Sequence, residues 1–137
     1  MIRGRARFPA RLGDHVLVGP HAHLNGVTVD DGVFIATGVS AFPGARIETG
    51  AEARINSIVH VNTRVPRGTT IPIGWIAVGD PAELFSPDRH EEYWPKLKEL
   101  DFPGTVFGIP RDELTLQQLT ANYRDSFGTH IDDQVIG

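Results

Sequence analysis

The sequence predicts an all-β solenoid, a β-helix of about four coils followed by a C-terminal helical tail. Three observations predict it. An aliphatic or small residue recurs every six positions at Leu12, Val18 and Leu24, and after one five-residue step at Val29, Ile35, Ala41, Ile47, Ala53, Val59, Val65, Ile71 and Ala77. A second column, four places on, is small or β-branched: Val16, Ala22, Val33, Val39, Ala45, Ala51, Ser57, Thr63 and Thr69. Turn formers fall between the columns, at Gly13-Asp14, Gly19-Pro20, Asp30-Asp31-Gly32, Pro43-Gly44, Thr49-Gly50 and Pro66-Arg67-Gly68. Neither a helix period of about 3.6 nor plain strand alternation produces such columns. Three hexapeptides close one triangular coil, coils stack at about 4.8 Å, and the uncharged columns fill the narrow prism.

The elements follow in order. Residues 1–10 read as a lead-in or partial coil: Ala6 and Ala10 fit the inward columns, while Arg7 and Phe8 lack corner chemistry. Residues 11–79 form the β-helix. Gly79-Asp80-Pro81-Ala82 ends it, because proline cannot extend a paired ladder. Residues 80–137 form the helical tail, packing on the β-helix or on a neighbouring subunit. Ser86-Pro87 opens a first helix with a capping hydroxyl and a proline at its first position. Tyr93, Trp94, Leu97 and Leu100 form its apolar face, and Pro95 predicts a kink or break. Phe102-Pro103-Gly104 reads as a turn. A second helix begins at Thr115, where Gln118 completes a capping box. Leu116, Leu119, Tyr123 and Phe127 line its face, Gly128 stops it, and His130–Gly137 fray. A β-helix leaves strand edges bare, for which capping helices and a closed oligomer are the usual remedies.

Composition narrows the function classes. The 137 residues suffice for one domain with its own core. The absence of cysteine excludes disulfides, thiolate zinc sites and a cysteine nucleophile, and suits a cytoplasmic protein. No apolar run approaches the ~20 residues of a membrane span, and Met1-Ile2-Arg3-Gly4-Arg5 leads into no apolar leader segment. Residues 1–79 carry a net charge of +3 and residues 80–137 a net charge of −7. Arg3, Arg5, Arg7 and Arg11 form a short basic run with a single aromatic, Phe8, among them, which reads as a solvated end and not as a nucleic-acid surface.

Leu12 through Asp31, with the five-residue step from Leu24 to Val29, resembles the central coils of gamma-class carbonic anhydrases and their hexapeptide-repeat relatives. Phe34-Ile35-Ala36-Thr37-Gly38 and the exit Ile76-Ala77-Val78-Gly79-Asp80-Pro81-Ala82 share the likeness, which covers roughly residues 8–85. The resemblance implies a left-handed parallel β-helix, a homotrimer, and a zinc or iron site between subunits held by three histidines. The family places two ligand histidines in a Gly-His-x-x-x-x-His-Gly pattern. The matching positions here are Pro20 and Asn25, and the nearest match to the third ligand falls near Arg3 or before the first residue. Proline offers no side-chain donor, and asparagine is a poor zinc ligand.

Two histidines stand close by. His21 and His23 are one residue apart, so on an extended segment both point the same way, and a neighbouring subunit could supply further ligands to a non-standard zinc or iron site. Their bland reading is a pair of surface or interface histidines. Asn25, Phe42 and His60 fall in one column, with His60 two coils from Asn25. Asp30 and Glu48 stack in adjacent coils, close to Arg46 and Arg64, and read as exposed, paired corner acids.

The reading that follows is a gamma-carbonic-anhydrase-like homotrimer with a degenerate metal site, holding a small molecule in the cleft between subunits. If it is an enzyme, it is a carbonic anhydrase-like lyase or a metal-free derivative, with His23, Asn25 and Arg3 as catalytic polar groups and His21 and His23 as metal ligands. Alternatives are a non-catalytic trimeric scaffold or binding module, and a hexapeptide acyltransferase using an acyl-CoA. No Gly-x-Ser-x-Gly elbow and no phosphate-binding glycine loop is present.

Overall fold

Inward residues at six-residue spacing close the chain into a three-faced parallel β-helix in the computed structural model, which describes residues 1–128, 131 and 134. The first face stacks β1 (Ile2–Arg3), β4 (His23–Asn25), β7 (Ser40–Ala41), β10 (Ile58–Val59) and β13 (Ile76–Val78) in parallel. β14 (Glu83–Phe85) then joins β13 antiparallel. The second face stacks β2 (Arg11–Leu12), β5 (Thr28–Val29), β8 (Arg46–Ile47) and β11 (Arg64–Val65). The third stacks β3 (Leu17–Val18), β6 (Phe34–Ile35), β9 (Glu52–Ala53) and β12 (Thr70–Ile71). The inward columns are those of the repeat: Leu24, Ile35, Ile47, Val59, Val65 and Ile71 are fully enclosed.

Each corner turns on one residue in the left-handed backbone region. From Gly26 to Gly74 that residue recurs every six positions, and it is always glycine except at Asn56 and Asn62. Before the five-residue step the same slot is filled by His21 (φ 59°) and His15 (φ 56°). Asparagine and histidine are among the few residues that enter this region at modest cost. The outward side of the second face carries an ion ladder. Arg46 binds Asp30 at 3.0 Å, and Arg64 bridges Glu48 at 3.3 Å and Asp80 at 2.6 Å. Asp30 and Glu48 are thus paired corner acids.

The lead-in departs from expectation. β1 pairs with β4 in register, Ile2 opposite Leu24 and Arg3 opposite Asn25. Ala6 is exposed and does not continue the repeat, because Arg5 and Phe8 exchange backbone hydrogen bonds at 2.9 and 3.0 Å and close a tight loop.

The chain divides into two compact units, Met1–Leu100 and Asp101–Gly137. Within the first, a single 3-10 turn (Pro87–Arg89) leads into α1 (His90–Leu100). The Ser86 hydroxyl makes no capping bond. Tyr93, Leu97 and Leu100 pack with Ile58, Ile76, Val78 and Phe85 on the first face. Trp94 leaves that apolar set and stacks on His90 at 5.5 Å. α1 runs through Pro95 without a break. The carbonyl that loses its partner there belongs to Glu91, which is exposed to water.

The second unit holds α2 (Phe102–Phe107), a 3-10 turn (Arg111–Glu113) and α3 (Leu116–Gly128). Phe102-Pro103-Gly104 opens a helix where a turn was expected, because the Asp101 carboxylate accepts hydrogen bonds from the Gly104 and Arg111 amides, each at 3.2 Å. Thr115 and Gln118 form the reciprocal capping box, with bonds of 2.8 and 3.2 Å. Phe107 meets Tyr123 edge to face at 5.1 Å, and Tyr123 stacks on Phe127 at 5.9 Å. Leu116, expected on the apolar face, is 78% exposed. The expected fraying of His130–Gly137 lies outside the described residues except Ile131 and Gln134.

Candidate functional site

Period-2 alternation decides which side chains leave the first face outward. Leu24, Ala41 and Val59 point inward, so their neighbours His23, Asn25, Ser40, Phe42, Ile58 and His60 point out. At the lower coils this surface lies against Phe85 and α1. At the upper coils it is polar. Arg3 lies opposite Asn25, and His23 opposite Ser40. Three of the sequence-derived site residues, Arg3, His23 and Asn25, are therefore brought together on two adjacent strands. All three are half-buried.

His21 goes elsewhere. Its left-handed backbone forms the corner between the third and first faces, and it is exposed. The extended segment that would aim both imidazoles the same way is broken by this corner. Among the described residues, no three His, Cys, Asp or Glu side chains gather closely enough to hold a metal ion. Among the described residues a single chain therefore gathers no three-ligand set, and Asn25 and Pro20 add no good donor to one.

Three features give the Arg3–His23–Asn25 group its character. The His23 imidazole is held below its ordinary range, first by burial, then by the positive N-terminal amine, then by Arg3. It is thus neutral at pH 7, a proton acceptor. The amine is fixed by donating to the Ala22 carbonyl. The Asn25 side-chain oxygen is buried and has no hydrogen-bond partner among the described residues. The rings of His23, Phe42 and His60 form a ladder, with centroids 6.1 and 5.8 Å apart. His60 is thus separated from His23 by an intervening ring, as the coil count requires.

The Phe42 rung follows the column of Asn25, Phe42 and His60 read from the sequence. The terminal amine was not foreseen, because two residues of β1 carry no repeat signal. The corner role of His21 is legible too, by counting the left-handed slot back from Gly26 through the five-residue step.

Comparison with known proteins is sparse. No family model matches the chain, and no curated protein matches it. Among solved structures, 26 chains match. One is the crystal structure of a candidate acetyltransferase from Bacillus cereus, 14% identical, aligned over 91% of this chain and 92% of that one with a TM-score of 0.35. A likeness this loose adds nothing to what the coils themselves show. Among the described residues, no helix is long and apolar enough to cross a membrane.

Proposed function

We propose that the chain is a gamma-carbonic-anhydrase-like hexapeptide-repeat protein whose three-histidine metal site is replaced by a metal-free site for a small anionic molecule. The observation that carries this reading is the register of β1 on β4, which sets Arg3 beside Asn25 and next to His23. Arg3 holds the negative charge of the ligand. The Asn25 amide gives or accepts one directional hydrogen bond. The neutral His23 imidazole takes a proton from the bound molecule when the reaction needs a base. In the homotrimer that the resemblance implies, this group lies in the cleft between subunits.

The test is metal content per subunit after purification without added metal or chelator, followed by thermal unfolding against a panel of small carboxylates. Metal near background, with a carboxylate raising Tm in wild type and not in Arg3→Ala or His23→Gln, supports the reading. Near-stoichiometric zinc or iron that disappears in His21→Ala or His23→Ala overturns it in favour of a rebuilt metal site. A metal-free protein that no panel member stabilises favours the scaffold reading.

A further inference from the structure

The third face of the prism carries two outward columns, because side chains alternate along each strand. One reads Leu17, Phe34, Glu52 and Thr70, and the other reads Gly19, Ala36, Arg54 and Pro72. In the upper two coils the second column has almost no side chain, while Leu17 and Phe34 beside it are 53% and 40% exposed. The adjoining corner rises on the other side. The amides of Gly38, Asn56 and Gly74 bond to the carbonyls of Pro20, Thr37 and Ile55 in the coil before, so Pro20, Thr37, Ile55 and Ile73 stack along it.

A trough of about 480 Å³ runs between these two ridges, floored by Gly19 and Ala36. In the next coil Glu52 and Arg54 stand across its lower end. Both are about half exposed, and a single contact of 3.4 Å joins them. The volume lies within the range of small-molecule sites, roughly 300–1,000 Å³, which are mostly apolar with a few convergent polar groups.

We propose that this trough binds a free α-amino acid with a large apolar side chain, such as phenylalanine, leucine or tryptophan. Charge complementarity selects the head group. A carboxylate alone would stand beside Glu52, and an amine alone beside Arg54, so each would meet a like charge. A zwitterion satisfies both. Its carboxylate accepts from the Arg54 guanidinium, which gives Glu52 a single N–H among the described residues and keeps further donors for the ligand. Its ammonium donates to the Glu52 carboxylate. An exposed ion pair of that length is weak, so exchanging it for two contacts with the ligand costs little. The trough selects the side chain. From the charged pair it extends over Ala36 and Gly19, about two coil steps of about 4.8 Å, between the Leu17–Phe34 ridge and the corner. An apolar body laid there takes carbon on both ridges out of water. Within a peptide chain the same residue has neither charged group. The inference does not rest on the anionic site proposed above, since Arg3, His23 and Asn25 belong to the first face.

Calorimetric titration with L-phenylalanine, L-leucine and L-tryptophan tests it. L-Phenylalanine is expected to bind once per chain. 3-Phenylpropionate, which lacks the ammonium, and 2-phenylethylamine, which lacks the carboxylate, are each expected to bind about tenfold or more weakly. Arg54→Gln and Glu52→Gln are expected to weaken L-phenylalanine by a similar factor, with unchanged far-UV spectra. No binding of any of the three amino acids at about 10 mM, equal affinity for L-phenylalanine and its two analogues, or binding unchanged in either variant overturns the proposal. Binding lost in Arg3→Ala and kept in Arg54→Gln puts the ligand on the first face, and also overturns it.

Discussion

A histidine beside two positive groups has little reason to take up a proton. His23 is half-buried, next to the N-terminal amine and Arg3, and all three influences push its pKa down from the ordinary 6.5. The unfolded chain removes them, so it binds the proton more readily than the folded one. Acid therefore favours unfolding through this residue. Its contribution is intact above pH 6.5, and it is lost as pH falls from there through the lower folded value. The difference in urea stability between wild type and His23→Gln, followed from about pH 8 to about pH 5, isolates the effect from the other histidines. Wild type should lose stability on acidification relative to the variant. Parallel curves would mean that the imidazole is solvated and the amine distant.

The corner is the element that the repeat depends on, and its chemistry can be separated into backbone and contact. Gly44 (φ 80°) and Gly50 (φ 71°) fill the same slot in successive turns. A Cβ on Gly50 meets nothing within 4 Å, whereas a Cβ on Gly44 falls 2.1 Å from the Asn62 side-chain oxygen of the next coil. Gly50→Ala should cost about 1–2 kcal/mol from the left-handed backbone alone. Gly44→Ala should cost more, and Gly44→Ala/Asn62→Gly should return to the Gly50→Ala level in chemical denaturation. Equal costs for the two single variants would show that Asn62 swings clear. Elements of this kind were legible in sequence because each is repeated, and repetition outweighs the ambiguity of any single turn. The same holds for the Thr115–Gln118 capping box, whose two halves identify each other. Unrepeated pieces were not legible. β1 and β14 are two and three residues long and exist only through their partners β4 and β13. α2 was hidden because Pro103-Gly104 signals a turn unless a carboxylate such as Asp101 stands ready to cap it. For the site, the sequence supplied Arg3, His23 and Asn25, while their grouping depended on the unrepeated β1.

At the scale of the whole molecule, each coil touches only its neighbours, so stability is close to a sum of coils and the contacts between them. The inward column of the second face, Leu12, Val29, Ile47 and Val65, samples that sum from end to middle. Ile47 is fully enclosed, with β5 on one side and β11 on the other. Leu12 occupies the same place in the repeat at the open end, has one strand neighbour in β5, and is 40% exposed. Ile47→Ala leaves a cavity that rigid coils above and below cannot close, and should cost about 2–5 kcal/mol. Leu12→Ala removes a side chain already in contact with water and should cost under about 1 kcal/mol, with little change in the urea midpoint. The comparison also bears on assembly. If the terminal coil were covered by another chain in solution, Leu12→Ala would approach the cost of Ile47→Ala, and that cost would fall on dilution. A concentration-independent gap between the two variants means instead that the first coil frays freely and that the prism is held from its middle outward.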